Sequence, residues 1–231
     1  MSLKDELQKE VKDIFRAQWT ERDGIVVPDD DSIQLTNDGV NVDATVLYAD
    51  MADSTHLVDG QTKTFAAEIY KTFLHAAAKI IRNGGGTITA YDGDRIMAVY
   101  LGKSKNTSAV TTALRIHYAV DNVIGPAIKA QYQQQTYVPQ HVVGIDTSKL
   151  FVARTGVRGA NDLVWVGRAA NYAAKLATLP HEYPTWITEE VYNNMHESVK
   201  VTNGQNMWEA RSWTAMNNKR IYRSNWYQSF A

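Results

Sequence analysis

Leu3, Leu7, Val11, Ile14 and Trp19 recur at helical spacing among Lys, Asp and Glu. This predicts an amphipathic helix over residues 3–20 that packs on the core or on a partner. A polar stretch around Asp29–Asp31 separates it from Ala44–Asp50 (ATVLYAD), a β-rich run ending on a carboxylate. Phe65, Ile69, Phe73, Ala76, Ala77 and Ile80 then form the apolar face of a helix over 61–82, which Gly84-Gly85-Gly86 ends. Two apolar segments, Thr87–Tyr91 and Arg95–Leu101, flank Asp92-Gly93-Asp94, whose Asp-Gly pair signals a hairpin. A helix is expected at about 107–124, leading through Gly125-Pro126 to a strand near His141–Asp146. A strand near Asp162–Val166 and a helix over 167–178 follow, and the chain from 185 onward reads as short strands and one helix. This order suggests an α+β sandwich with helices packed on one face of a mainly antiparallel sheet.

The 231 residues suffice for one sizeable core with terminal pieces. Residues 1–40 read as the amphipathic helix and a connecting segment, and 41–231 as the main domain with a C-terminal extension. Lys and Arg number 24 against 25 Asp and Glu, so a net charge of −1 gives no general reason to bind nucleic acid or an acidic membrane. There is no Cys, which removes thiol catalysis and Cys-ligated zinc and leaves carboxylates as the expected metal ligands. The six His residues show no zinc spacing, and Ser54 and Thr55 have no recognisable His and Asp partners for nucleophilic catalysis. No apolar run approaches a membrane span, and the first residues lack the apolar centre of a signal peptide, so a soluble cytoplasmic protein is expected.

Asp50 ends one expected strand and Asp94 follows a tight turn between two others, so neighbouring strands can bring both carboxylates to one rim of the sheet. Such a pair suits hard divalent cations carrying a triphosphate. Between Asp50 and the next helix, Met51-Ala52-Asp53-Ser54-Thr55 offers backbone N–H groups that can cradle phosphate oxygens. Taken singly, these aspartates read as turn and cap residues.

Four blocks together resemble the class III adenylate and guanylate cyclase catalytic domain in order and spacing: TVLYADMADST, GGGTITAYDGDRIMAVY, VVGIDTSKLFVARTG and VWVGRAANYAAKL. The resemblance implies that Asp50 and Asp94 bind two Mg²⁺ or Mn²⁺ ions, with the Met51 backbone carbonyl as a further ligand. It implies that Asn171 orients the ribose. Lys175 stands where the family has a phosphate-stabilising Arg, and an ammonium cannot reproduce a bidentate fork; Arg168, on the same helical face, is the alternative. Lys219 is the nearest match to a family Lys that touches the terminal phosphates. Family members build two composite sites across a head-to-tail dimer, so a homodimer is implied.

The positions that read a purine in this family hold Ala90 and Val164, and neither is polar. That absence and the phrase WVGRAANYAAKL look like the Pycsar group, bacterial pyrimidine cyclases whose cyclic UMP or cyclic CMP activates a separate effector during phage infection. Tyr48 lies two residues before Asp50 on the same strand, so its phenol is the leading base-reading candidate, with Trp165 and Tyr91 behind it. The resemblance thus implies a UTP cyclase, with CTP or ATP cyclisation or an inactive nucleotide sensor as alternatives.

Overall fold

The computed structural model describes residues 2–230. A capping box starts helix α1 (Leu3–Arg16): the Ser2 hydroxyl accepts from the Asp5 amide, and the Asp5 carboxylate accepts from the Ser2 amide. The helix stops short of the expected residue 20 because Ala17 is extended, and Trp19 turns away to pack edge-on against Phe151 at 5.1 Å. No side chain of α1 is buried, so among the described residues it does not pack on the core.

The chain continues through β1 (Thr20–Asp23), β2 (Asp38–Met51), α2 (Ser54–Gly60), α3 (Lys63–Asn83), β3 (Thr87–Asp92), β4 (Arg95–Tyr100) and α4 (Lys105–Ala119). A π turn (Val120–Ile124) joins α4 to α5 (Gly125–Gln131), followed by β5 (His141–Val157), β6 (Ala160–Val166), α6 (Arg168–Leu176), β7 (Thr185–Thr188) and α7 (Glu189–Asn194). The short strands β8 (Val201–Thr202) and β9 (Gln205–Asn206) form a separate pair, and β10 (Glu209–Trp213) and β11 (Lys219–Ser224) complete the main sheet.

The sheet order is β10-β11-β7-β5-β2-β4-β3, with β1 added beside the start of β2 and β6 beside the end of β5. Only β1–β2 and β5–β7 pair in parallel, so the mainly antiparallel α+β reading holds. The expected break at Gly125-Pro126 does not occur. Pro126 falls in the first turn of α5, where its missing N–H costs no helical bond, and the π turn ahead absorbs the change of register.

Alternation along β2 divides the core. Leu47, Ala49 and Met51 face α3 and α4 with Phe73, Ile81, Leu114 and Ile116, whereas Val40, Val42, Ala44 and Val46 face α6 through Ala169, Ala170 and Ala173. Helices therefore cover both faces of the sheet, not one. The buried side of α6 is built mostly of alanines, so its apolar stripe is weak in sequence; it packs closely because β5 offers Gly144 beneath it. A Cβ on Gly144 would lie 2.2 Å from the Ala173 carbonyl oxygen. Of the histidines, His117 and His141 are buried with rings 5.6 Å apart, and burial pushes His141 down to about 3, so it is neutral and structural. Among the described residues no helix is long and apolar enough to cross a membrane.

Candidate active site

Two rungs of the sheet, two residues apart, gather the candidate residues. In the first, Asp92 stands opposite Arg95, Arg95 opposite Asp50 and Asp50 opposite Val142, across β3, β4, β2 and β5. In the second, Ala90 stands opposite Met97, Met97 opposite Tyr48 and Tyr48 opposite Gly144. The two-residue repeat puts both rungs on the face that α6 covers. The β3–β4 connection is the two-residue loop Gly93-Asp94, with positive φ (61°) at Gly93 alone, the pattern a type II′ turn requires. That turn sets Asp94 beside the first rung.

Asp50 is nearly buried, its side chain 13% exposed, and one carboxylate oxygen accepts from Arg95 Nη2 at 2.8 Å and Nε at 3.1 Å. Burial pushes the Asp50 carboxyl above its usual range; the Arg95 guanidinium opposes that shift, and the Asp94 and Asp92 carboxylates add to it. Oδ2 of Asp94 is buried with no hydrogen-bond partner among the described residues. A buried, unpartnered carboxylate oxygen beside two further carboxylates is a donor set that fits a hard divalent cation. Among the described residues no group of three or more His, Asp or Glu forms a closed metal cage. The Met51 side chain is buried, so only its backbone is available to a cation here.

Asp53 holds a left-handed conformation (φ 55°) that turns the chain from β2 into α2, leaving Ser54 half-buried and Thr55 exposed at the start of that seven-residue helix. Tyr48 is half-buried, its ring centroid 5.9 Å from the Arg95 guanidinium carbon. Burial pushes the phenol above its ordinary value while Arg95 pulls the other way, so at neutral pH Tyr48 carries its proton. Trp165 faces the α6 side of the sheet. Val164 and Tyr91 point to the opposite face, away from the Tyr48 rung.

On α6, the residues Ala169, Ala170, Ala173 and Leu176 face the sheet, and Asn171 and Lys175 stand exposed on the opposite side of the helix. Neither is directed at the rung of Asp50 in its own chain. Lys175 Nζ lies 3.7 Å from the Met216 sulfur, and Lys219 Nζ lies 5.7 Å from the centre of the Tyr172 ring, so both ammonium groups border the same side of α6. Arg168 does not join them. Its guanidinium donates to both oxygens of Asp146 (3.0 and 3.2 Å) and to the Thr147 carbonyl (2.8 Å), and pairs with Glu190. Asp146 is fully buried and also accepts from Thr188 Oγ1 at 2.5 Å. Arg168 thus neutralises a buried carboxylate and fixes the start of α6.

Sequence reasoning missed Arg95 as the partner of Asp50 and Asp146 as the anchor of Arg168. The hairpin register carried the first signal, since a two-residue loop at Gly93-Asp94 forces Arg95 opposite Asp92. The second depends on a contact between residues 22 apart and leaves no local pattern.

The sheet and the helices on its two faces form the fold of class III nucleotidyl cyclase domains. The adenylyl cyclase CyaB from P. aeruginosa has the same fold, with a TM-score of 0.66 at 18% identity over 80% of this chain and 95% of its own. No protein-family model matches the chain. A uridylate cyclase of Xanthomonas perforans is 53% identical over 227 residues, 98% of each chain, and one of Burkholderia cepacia is 50% identical over 218 residues, 94% of each. The chain belongs to the uridylate cyclase family, and it is a nucleotide cyclase.

Proposed function

We propose that this enzyme converts UTP to 3′,5′-cyclic UMP and pyrophosphate in a homodimer whose two sites each draw residues from both chains. The 3′-oxygen of the ribose gives up its proton to bulk water and attacks the α-phosphorus, and the bond from the α-phosphorus to the oxygen bridging to the β-phosphorus breaks, with its electron pair leaving on pyrophosphate. Asp50, Asp94 and the Met51 carbonyl would hold divalent cations, Mn²⁺ or Mg²⁺, which would supply Lewis acidity and neutralise triphosphate charge. Arg95 holds Asp50 ionised and in place. Asn171 aligns the ribose, Lys175 stabilises charge developing on the α-phosphate, and Lys219 and the Ser54–Thr55 turn bind the outer phosphates. Arg168 keeps α6 at the angle this requires.

The observation that carries the pyrimidine reading is the second rung. With Ala90 and Met97 apolar, the Tyr48 hydroxyl and the neighbouring Arg95 are polar groups beside the carboxylates that can meet the edge of a base. The uridylate cyclases at 50–53% identity support UTP over CTP. Removing the Tyr48 hydroxyl (Tyr48→Phe) is expected to lower kcat/KM for UTP by about tenfold or more while leaving the melting temperature almost unchanged, because a polar edge of the base loses its partner. Steady-state rates with UTP and CTP check this; equal rates for Tyr48→Phe and wild type remove Tyr48 as base reader.

The resemblance to the pyrimidine cyclases supports a messenger role, with cyclic UMP as product, a separate effector that binds it, and antiphage defence in the bacterial cytoplasm as the setting. Residues 41–231 carry the catalytic unit in this reading. The deciding experiment presents ATP, GTP, CTP and UTP separately with Mn²⁺ and identifies products by mass spectrometry. Cyclic UMP from wild type and none from Asp50→Ala is the expected result; cyclic AMP or cyclic GMP as the main product overturns the base assignment.

A further inference from the structure

Helix α1 is formed and capped, yet none of its apolar stripe is buried among the described residues. Leu3, Leu7, Val11 and Ile14 are 71%, 50%, 48% and 60% exposed, at spacings that put them on one side of the helix. The Asn37 side-chain amide donates to the Ile14 and Ala17 carbonyls and ties the last turn to the body, leaving the rest of the helix projecting. A lone helix of fourteen residues is marginal in water, so this stripe calls for a covering partner.

The charges flanking the stripe identify that partner. Glu6, Glu10 and Asp13 lie to one side of it and Lys4 and Lys12 to the other, where Asp5, on the same side as Lys12, is engaged by Ser2 in the cap. When two copies of such a helix meet in parallel about a two-fold axis, the acidic flank of each faces the basic flank of the other. Antiparallel pairing instead sets acidic flank on acidic flank and basic on basic. A lipid surface is the poorer occupant, because the segment LKDELQKEVKDIFR carries equal numbers of cations and carboxylates and offers no basic face to anionic headgroups.

We propose that α1 is a dimerisation helix that pairs in parallel with α1 of a second copy of this chain. In a parallel pair Glu6 lies level with the partner's Lys4, and Glu10 and Asp13 lie within a turn of the partner's Lys12. The contact is separate from the catalytic residues and does not rest on the substrate assignment. It adds to whatever holds the catalytic faces together, since one tethered contact raises the effective concentration of the other.

The test uses the full chain. Leu7→Glu with Val11→Glu places charge in the stripe without touching the core, and sedimentation velocity is expected to give a dimer dissociation constant raised at least about tenfold, with the fold intact by circular dichroism. Orientation is read by cross-linking, which the absence of native Cys makes clean. After oxidation of a mixture of Leu3→Cys and Ile14→Cys chains, peptide mapping is expected to find 3–3 and 14–14 disulfides and no 3–14 product. An unchanged dissociation constant overturns the proposal while leaving the cyclase reading standing. A dominant 3–14 disulfide overturns the parallel geometry. Wild-type α1 binding to phosphatidylglycerol vesicles, with dimerisation indifferent to the stripe, assigns the helix to a membrane instead.

Discussion

An equimolar mixture of Asp50→Ala and Asn171→Ala chains is expected to recover about a quarter of the wild-type cyclase rate, although neither chain turns over alone. The buried residues of α6 pack on the sheet face that carries Asp50, and Asn171 and Lys175 sit on the far side of the helix, so in the proposed homodimer they serve a carboxylate rung in the other chain. In a mixed dimer one site then has both lesions and the other has neither. Random assortment makes half of the dimers mixed, and half of the sites in those are intact, which gives the quarter. The same logic groups the residues: Lys175→Ala is expected to complement Asp50→Ala, and not to complement Asn171→Ala, because the last two damage the same half of each site. Initial rates of cyclic nucleotide formation after mixing and re-equilibration measure this. A mixture as inactive as its components means that each site is built within one chain.

What the sequence made legible was local. Strand endings, a Gly-marked hairpin and an i, i+4 helical pair each leave a short-range pattern, and from these Asp50, Asp94, Asn171 and Lys175 were placed on the elements where they lie. The two-residue alternation also put Tyr48 on the face of Asp50. What stayed hidden depended on register or on tertiary contact. β5 runs on to Val157 because β2 and β6 pair along it, well past the expected end at Asp146. Arg168 read as a spare cation on an exposed helical face, since nothing near it in sequence announces the buried carboxylate of Asp146. Trp165 reads as a candidate base reader and Val164 as a purine-reading position without its polar group, but neighbours on a strand face opposite ways and only Trp165 looks toward the α6 side. The second layer of helix was missed for a related reason: alanines on α6 and a glycine under it give close packing with almost no hydrophobic signal.

Replacing Asp94 with Ala is expected to raise the thermal stability of the metal-free protein while reducing cyclase activity by about three orders of magnitude. The two effects share one cause. Oδ2 of Asp94 is buried without a partner among the described residues, and its charge crowds Asp50, whose carboxyl is already pushed up by burial. An unsatisfied buried polar group costs about 1–3 kcal/mol, and for a chain of this size each kcal/mol moves the melting temperature by about 2–4 °C. Ala at this turn position removes that cost together with the oxygen that fits a cation. The wild type is expected to close the gap when Mn²⁺ is added, because binding at 100 times Kd stabilises the folded state by about 2.7 kcal/mol, and Asp94→Ala is expected to respond far less. Differential scanning calorimetry across a Mn²⁺ series therefore reads the site without reference to turnover. If Asp94→Ala melts several degrees lower and responds to Mn²⁺ as the wild type does, the aspartate is a structural turn residue, and the cations are held elsewhere.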